Sequence, residues 1–68
     1  MKKIDARGLS CPEPVMLTQA ALKTETELEI IADCPAAKEN ITRYATENGF
    51  TVDVKENNGE FTFTIRKK

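Results

Sequence analysis

The chain has 68 residues, ten of them basic and eleven acidic, for a net charge of −1. A length of this order supports one compact core, so a single domain over residues 1–68 is expected, and the balanced charge supplies no field to gather nucleic acid or an acidic membrane surface. The absence of histidine removes the usual general base, any Cys–His dyad and the commonest metal ligand.

No apolar run approaches the ~20 residues of a spanning helix, and Met1-Lys2-Lys3 leads into Ile4-Asp5 instead of the apolar stretch of a signal peptide. The expected compartment is the cytoplasm, where thiols stay reduced. The two cysteines then read as reactive, metal-binding or buried before they read as a structural disulfide.

In chain order, residues 2–6 set apolar Ile4 between charges and predict a short first strand, broken by Gly8. From Pro12 to about Lys23 the spacing is helical. Pro14, Val15, Leu17, Thr18, Ala21 and Leu22 fall on one arc, expected to face the core, and Met16, Gln19, Ala20 and Lys23 fall on the other as a candidate docking surface. After the polar segment 23–27, Leu28 to Ala32 reads as a buried strand. Asp33-Cys34-Pro35 opens a second helix with Ala37, Ile41, Tyr44, Ala45 and Asn48 on its inner face, stopped at Asn48-Gly49.

Beyond Gly49 the period changes to two: Phe50, Val52 and Val54 alternate with polar residues, as do Phe61, Phe63 and Ile65, on either side of an Asn58-Gly59 turn. All three phenylalanines lie in this hairpin. They would serve as a stacking platform for single-stranded nucleic acid only if the helices did not need the same face for a core, so no direct nucleic-acid binding is expected. The order β-α-β-α-β-β gives an α/β (α+β) two-layer sandwich, with two helices on one face of a four-stranded mixed sheet. Right-handed crossover makes the first two strands parallel, which brings both helix starts, and hence Cys11 and Cys34, to one rim.

The chemistry concentrates in Ser10-Cys11-Pro12-Glu13-Pro14-Val15. Prolines belong in the first turn of a helix, so Cys11 is expected at the N-cap, facing unpaired N–H groups and the positive end of the helix dipole. Both favour thiolate over thiol. Arg7 would add to this effect and Glu13 would oppose it. The alternative is a cysteine used as a small packing residue; the polar, glycine-containing segment 5–10 before it argues for exposure instead.

Asp5-x-Arg7-Gly8-Leu9-x-Cys11-Pro12-x-Pro14-Val15, Asp33-x-Pro35-Ala36-Ala37, Gly49-Phe50 and Phe63-x-Ile65-Arg66-Lys67 together resemble the TusA/SirA/YedF family of small sulfur carriers, over nearly the whole chain. The resemblance implies that Cys11 carries a persulfide received from a cysteine desulfurase-like donor and handed to a downstream acceptor, with Arg7, Gly8, Pro12, Glu13 and Pro14 as its framework. It also implies the βαβαββ fold, and neither cofactor nor metal is called for. The chain departs from the family pattern in having Asp33-Cys34 where two acidic residues are common, in a short glycine-free connection after the first helix, and in Gln19 where a basic residue is common.

Other readings stay open. Cys34 is either a second thiol, resolving the Cys11 persulfide by dithiol chemistry, or a small N-cap residue. Selenium can replace sulfur as cargo. A two-thiolate soft-metal carrier is disfavoured because the cysteines do not share a loop, and a non-catalytic protein-binding module remains. Oligomeric state is not fixed by the pattern.

Overall fold

The computed structural model describes residues 1–10 and 13–68. Its elements are β1 (Lys2–Asp5), α1 (Glu13–Leu22), β2 (Glu27–Ala32), α2 (Pro35–Glu47), β3 (Phe50–Asn57) and β4 (Glu60–Lys67). They form one four-stranded sheet in the order β1-β2-β4-β3. Strand β1 pairs parallel with β2, Ile4 standing opposite Ile30, while β4 pairs antiparallel with both β2 and β3. This is the expected mixed sheet and helix order.

Period-two patterning decides which face the helices cover. Leu28, Ile30 and Ala32 of β2 and Phe61, Phe63 and Ile65 of β4 are buried, and their neighbours Glu29, Ile31, Thr62 and Thr64 are only half-covered. In the ladder Leu28 faces Ile65 and Ile30 faces Phe63, so the largest apolar side chains stack across adjacent strands on one face. Ala37, Ile41 and Ala45 of α2 close over them. Burying each large apolar side chain is worth about 1.5–3 kcal/mol. Because all three phenylalanines are buried, no aromatic platform is left for nucleic acid.

The hairpin turn follows from Asn58 and Gly59, which both take positive φ (52° and 81°). A two-residue turn of this kind matches the twist of the flanking strands and favours Asn-Gly. At the other end of α2, Asn48 caps the helix and its side-chain amide donates to the Tyr44 carbonyl (2.8 Å).

Four expected core positions come out differently, Leu17, Val15, Asn48 and Tyr44, the last half-buried at the cleft between the helices. On α1 the buried stripe is Pro14, Thr18, Ala21 and Leu22, and the Thr18 hydroxyl is accommodated there by donating to the Pro14 carbonyl (2.9 Å). Leu17 lies on the flank away from α2, where no element covers it, and is 37% exposed. Val15 is only half-buried, since it faces the cleft toward α2. Asn48 is exposed because its amide is turned back on the helix end. No helix among the described residues is long and apolar enough to cross a membrane.

Phe63 sits at the centre of this packing with no exposed surface. Phe63→Ala is expected to lower unfolding free energy by about 3–5 kcal/mol, against at most ~0.5 kcal/mol for its solvent-side neighbour in Thr64→Ala; urea denaturation of the two variants checks the contrast.

Candidate functional site

Residues 6–10 leave β1 at the rim where β2 also ends. Ala6 prolongs the parallel pairing, its N–H donating to the Ile31 carbonyl at 2.7 Å with its side chain fully buried. The Asp5 carboxylate then folds the chain locally. It accepts the backbone N–H of Arg7 (3.1 Å), the turn that Asp favours two residues ahead of its partner. It also accepts the Arg7 guanidinium through Nε (2.9 Å) and one terminal nitrogen (2.8 Å), a two-point geometry suited to a planar guanidinium. The other terminal nitrogen lies 3.6 Å from Glu60 Oε2.

Gly8 follows with φ +82°, a left-handed conformation that glycine adopts without steric cost. Its N–H points at Asp33, beyond the end of β2, and is shared between the two carboxylate oxygens at 3.0 and 3.1 Å. One carboxylate thereby ties the chain after β1 to the chain after β2, across 25 positions of sequence. The Glu13 N–H donates to the Ser10 carbonyl (2.9 Å) as α1 begins.

Among the expected site residues, Arg7 and Gly8 lie in this rim segment, and Glu13 and Pro14 open α1, Glu13 exposed and Pro14 buried. Cys11 and Pro12 lie outside the described residues, as does the expected N-cap placement of the cysteine. Arg7 has partners that the sequence reading did not name. Its charge is committed to Asp5 and Glu60 because the adjacent carboxylate offers two acceptors at short range. The hydrogen bonds from Arg7, side chain first and backbone second, lower the Asp5 carboxyl from 3.8 to about 2, and the same pairing raises the guanidinium further above its ordinary value.

Cys34 is the N-cap of α2 with Pro35 following, its backbone extended (φ −86°, ψ 121°) and no side-chain cap hydrogen bond. It is half-buried against the core. Its sulfur is disulfide-bonded and is not a free thiol, a departure from the reduced state expected of the compartment. Compartment sets how thiols are poised, whereas folding decides which sulfurs can bond.

The candidate docking set divides. Met16, Ala20 and Lys23 are exposed, and Met16 joins Leu9, Glu13 and Leu17 around a shallow, largely apolar pocket. Gln19 turns to the other flank and lines the cleft between the helices with Asn40, Arg43 and Tyr44. Asp33, Asp5 and Glu60 had not been singled out as supports. The Asp5–Arg7 pair has a local signal in its two-residue spacing next to glycine; Asp33 and Glu60 have none, because tertiary structure alone brings them in. Among the described residues no group of three or more His, Cys, Asp or Glu side chains is placed to hold a metal ion.

Comparison with known proteins bears on the same segment. The family model described as "Sulfurtransferase TusA" matches residues 2–67. A protein of Methanocaldococcus jannaschii named "Putative sulfur carrier protein MJ0990" is 42% identical over 71 residues, covering 98% of this chain and 95% of its own. The Escherichia coli protein named "Putative sulfur carrier protein YedF" is 33% identical over 69 residues, covering 96% and 90%. Among solved structures, a SirA-like protein from Desulfitobacterium hafniense superposes with a TM-score of 0.84 at 28% identity, over 96% of this chain and 95% of that one.

The Asp5–Arg7 pair has a pH signature. A carboxylate whose pKa is depressed by folding contributes stability above its unfolded value, near 3.8, and loses it as pH falls through about 2. An NMR titration of the Asp5 carboxyl carbon is expected to give a midpoint near 2, and Arg7→Ala is expected to return it toward 3.8.

Proposed function

Because the chain belongs to the TusA family of sulfur-carrier proteins, we propose that Cys11 is the residue on which sulfur is carried. The observation that carries this reading is the family match over residues 2–67, which encloses Arg7-Gly8-Leu9-Ser10-Cys11-Pro12-Glu13-Pro14. In the reduced chain, the Cys11 thiolate attacks the outer sulfur of a persulfide on a donor protein of cysteine desulfurase type. The donor's S–S bond breaks and its cysteine leaves as thiolate. An acceptor thiolate then takes the same sulfur from Cys11, and the Cys11 thiolate leaves in turn. Each step exchanges one S–S bond for another, so no outside oxidant, metal or nucleotide is consumed.

The thiolate is the reactive form. With Arg7 paired to Asp5 and Glu60, further anion stabilisation comes from the dipole at the start of α1, whose first described residue is Glu13. Arg7 and Gly8 support the segment from one side, and Glu13 and Pro14 from the other. The cytoplasm is the compartment in which this exchange has reduced acceptors. Selenium carried by a donor cysteine as a selenopersulfide (Cys–S–Se−) would follow the same route, one S–Se bond being exchanged for another.

A second reading draws on the bonded state of Cys34. Here the Cys34 thiolate attacks the inner sulfur of the Cys11 persulfide, a Cys11–Cys34 disulfide forms, and hydrosulfide leaves. The balance again needs no added oxidant.

Intact mass after incubation with a cysteine desulfurase and cysteine separates the two. Carriage predicts a gain of about 32 Da that Cys11→Ser abolishes and Cys34→Ser retains; the dithiol reading predicts loss of two hydrogens that either substitution prevents. A Cys11→Ser protein that still takes up sulfur overturns both.

A further inference from the structure

The free edge of β3 has the geometry of a pairing surface. The Asn58–Gly59 turn closes on the pair Asn57 and Glu60, which in a two-residue hairpin is a hydrogen-bonded pair. Bonded and non-bonded pairs then alternate along the ladder, so Asn57, Lys55, Asp53 and Thr51 direct their N–H and C=O groups at β4. The Lys68 N–H donating to the Gly49 carbonyl (3.1 Å) continues this series. Glu56, Val54, Val52 and Phe50 therefore aim theirs outward, away from the sheet. Thr51, Asp53 and Lys55 are exposed, so neither helix covers the strand's solvent face.

The two edges of the sheet differ. The β1 edge has four residues and begins with Lys2 and Lys3, a strand too short and too charged to favour self-pairing. The β3 edge is eight residues long, without proline, and stays in register with β4 from Phe50 to Asn57. Its guarding lysine, Lys55, lies two positions from an opposite charge on the same face, Asp53.

We propose that β3 is the docking site for a second copy of this chain, the two strands pairing antiparallel about a two-fold axis at Val54. In this register Val54 faces its own counterpart, and Val52 faces Glu56 of the partner subunit. These are the outward-aimed residues, and each pair exchanges two backbone hydrogen bonds. Asp53 falls opposite the partner's Lys55, and Lys55 opposite the partner's Asp53, in the non-hydrogen-bonded positions where side chains come closest. Half-buried Val52 and Val54 meet on the helix side of the junction. Charge selects the register: moving the axis to Asp53 sets two aspartates face to face, moving it to Lys55 two lysines, and moving it to Glu56 two glutamates. The product is a continuous eight-stranded sheet. The junction lies at the opposite edge from β1, which leaves the Gly8–Asp33 rim clear.

An edge pairing of this length buries less than a standard interface of ~1,600 Å², so the dimer is concentration-dependent. Sedimentation equilibrium under reducing conditions, from about 10 μM to about 1 mM, is expected to show the mass rising toward twice the monomer's. Asp53→Lys and Lys55→Asp are each expected to weaken association at least tenfold, and the double exchange to restore it, with circular dichroism confirming that each variant is folded. A parent that stays monomeric at 1 mM, or single variants that associate as the parent does, overturns the proposal; so does a double exchange that fails to recover.

Discussion

Strand β1 runs parallel to β2, and a parallel neighbour has to be reached by a crossover over one face of the sheet. Both helices therefore lie on the same face, and the segments leaving β1 and β2 emerge at the same rim. The Gly8 N–H and the Asp33 carboxylate meet there, although neither has the other in its sequence neighbourhood. The conformation at Gly8, the Asp5–Arg7 pair and the contact to Glu60 all elaborate this junction. Together they hold the chain that leads into the CPxP segment against the body of the sheet.

A domain of this size has little stability to spare, and the molecule divides its resources accordingly. The core is built from a few large apolar residues on β2, β4 and α2 that have no exposed surface. The rim is built from polar groups that remain exposed, where hydrogen bonds to charged partners shape the backbone without the desolvation cost of burial. Truncation in the core therefore acts on folding, while substitution at the rim acts on the geometry of the segment it supports.

Local rules explain why most of the fold was legible. The Asn58-Gly59 turn, the prolines near each helix start and the change from helical to alternating spacing after Gly49 are short-range signals, and each matches an observed element. Helix faces were less legible at their flanks. Leu17 is apolar and near the expected arc, yet it is exposed because it lies beside the stripe of α1 that packs into the core; Gln19 is polar, yet it turns into the cleft between helices. At the candidate site the motif residues could be picked out, whereas Asp33 and Glu60 could not, since their roles depend on a strand order that no local pattern encodes. Arg7 was identified as a residue, but its pairing with Asp5 and Glu60 was not anticipated, although the Asp5 carboxylate lies only two positions away.

The account makes the Gly8–Asp33 contact the support of the segment proposed to carry sulfur, and the rate of sulfur uptake from a cysteine desulfurase tests it most directly. Asp33→Ala, with its fold verified by circular dichroism, is predicted to accept sulfur roughly ten- to a hundredfold more slowly than the parent, as loss of one charge-assisted hydrogen bond implies. Uptake by Asp33→Ala at the parent's rate would contradict the claim that this contact positions the chemistry.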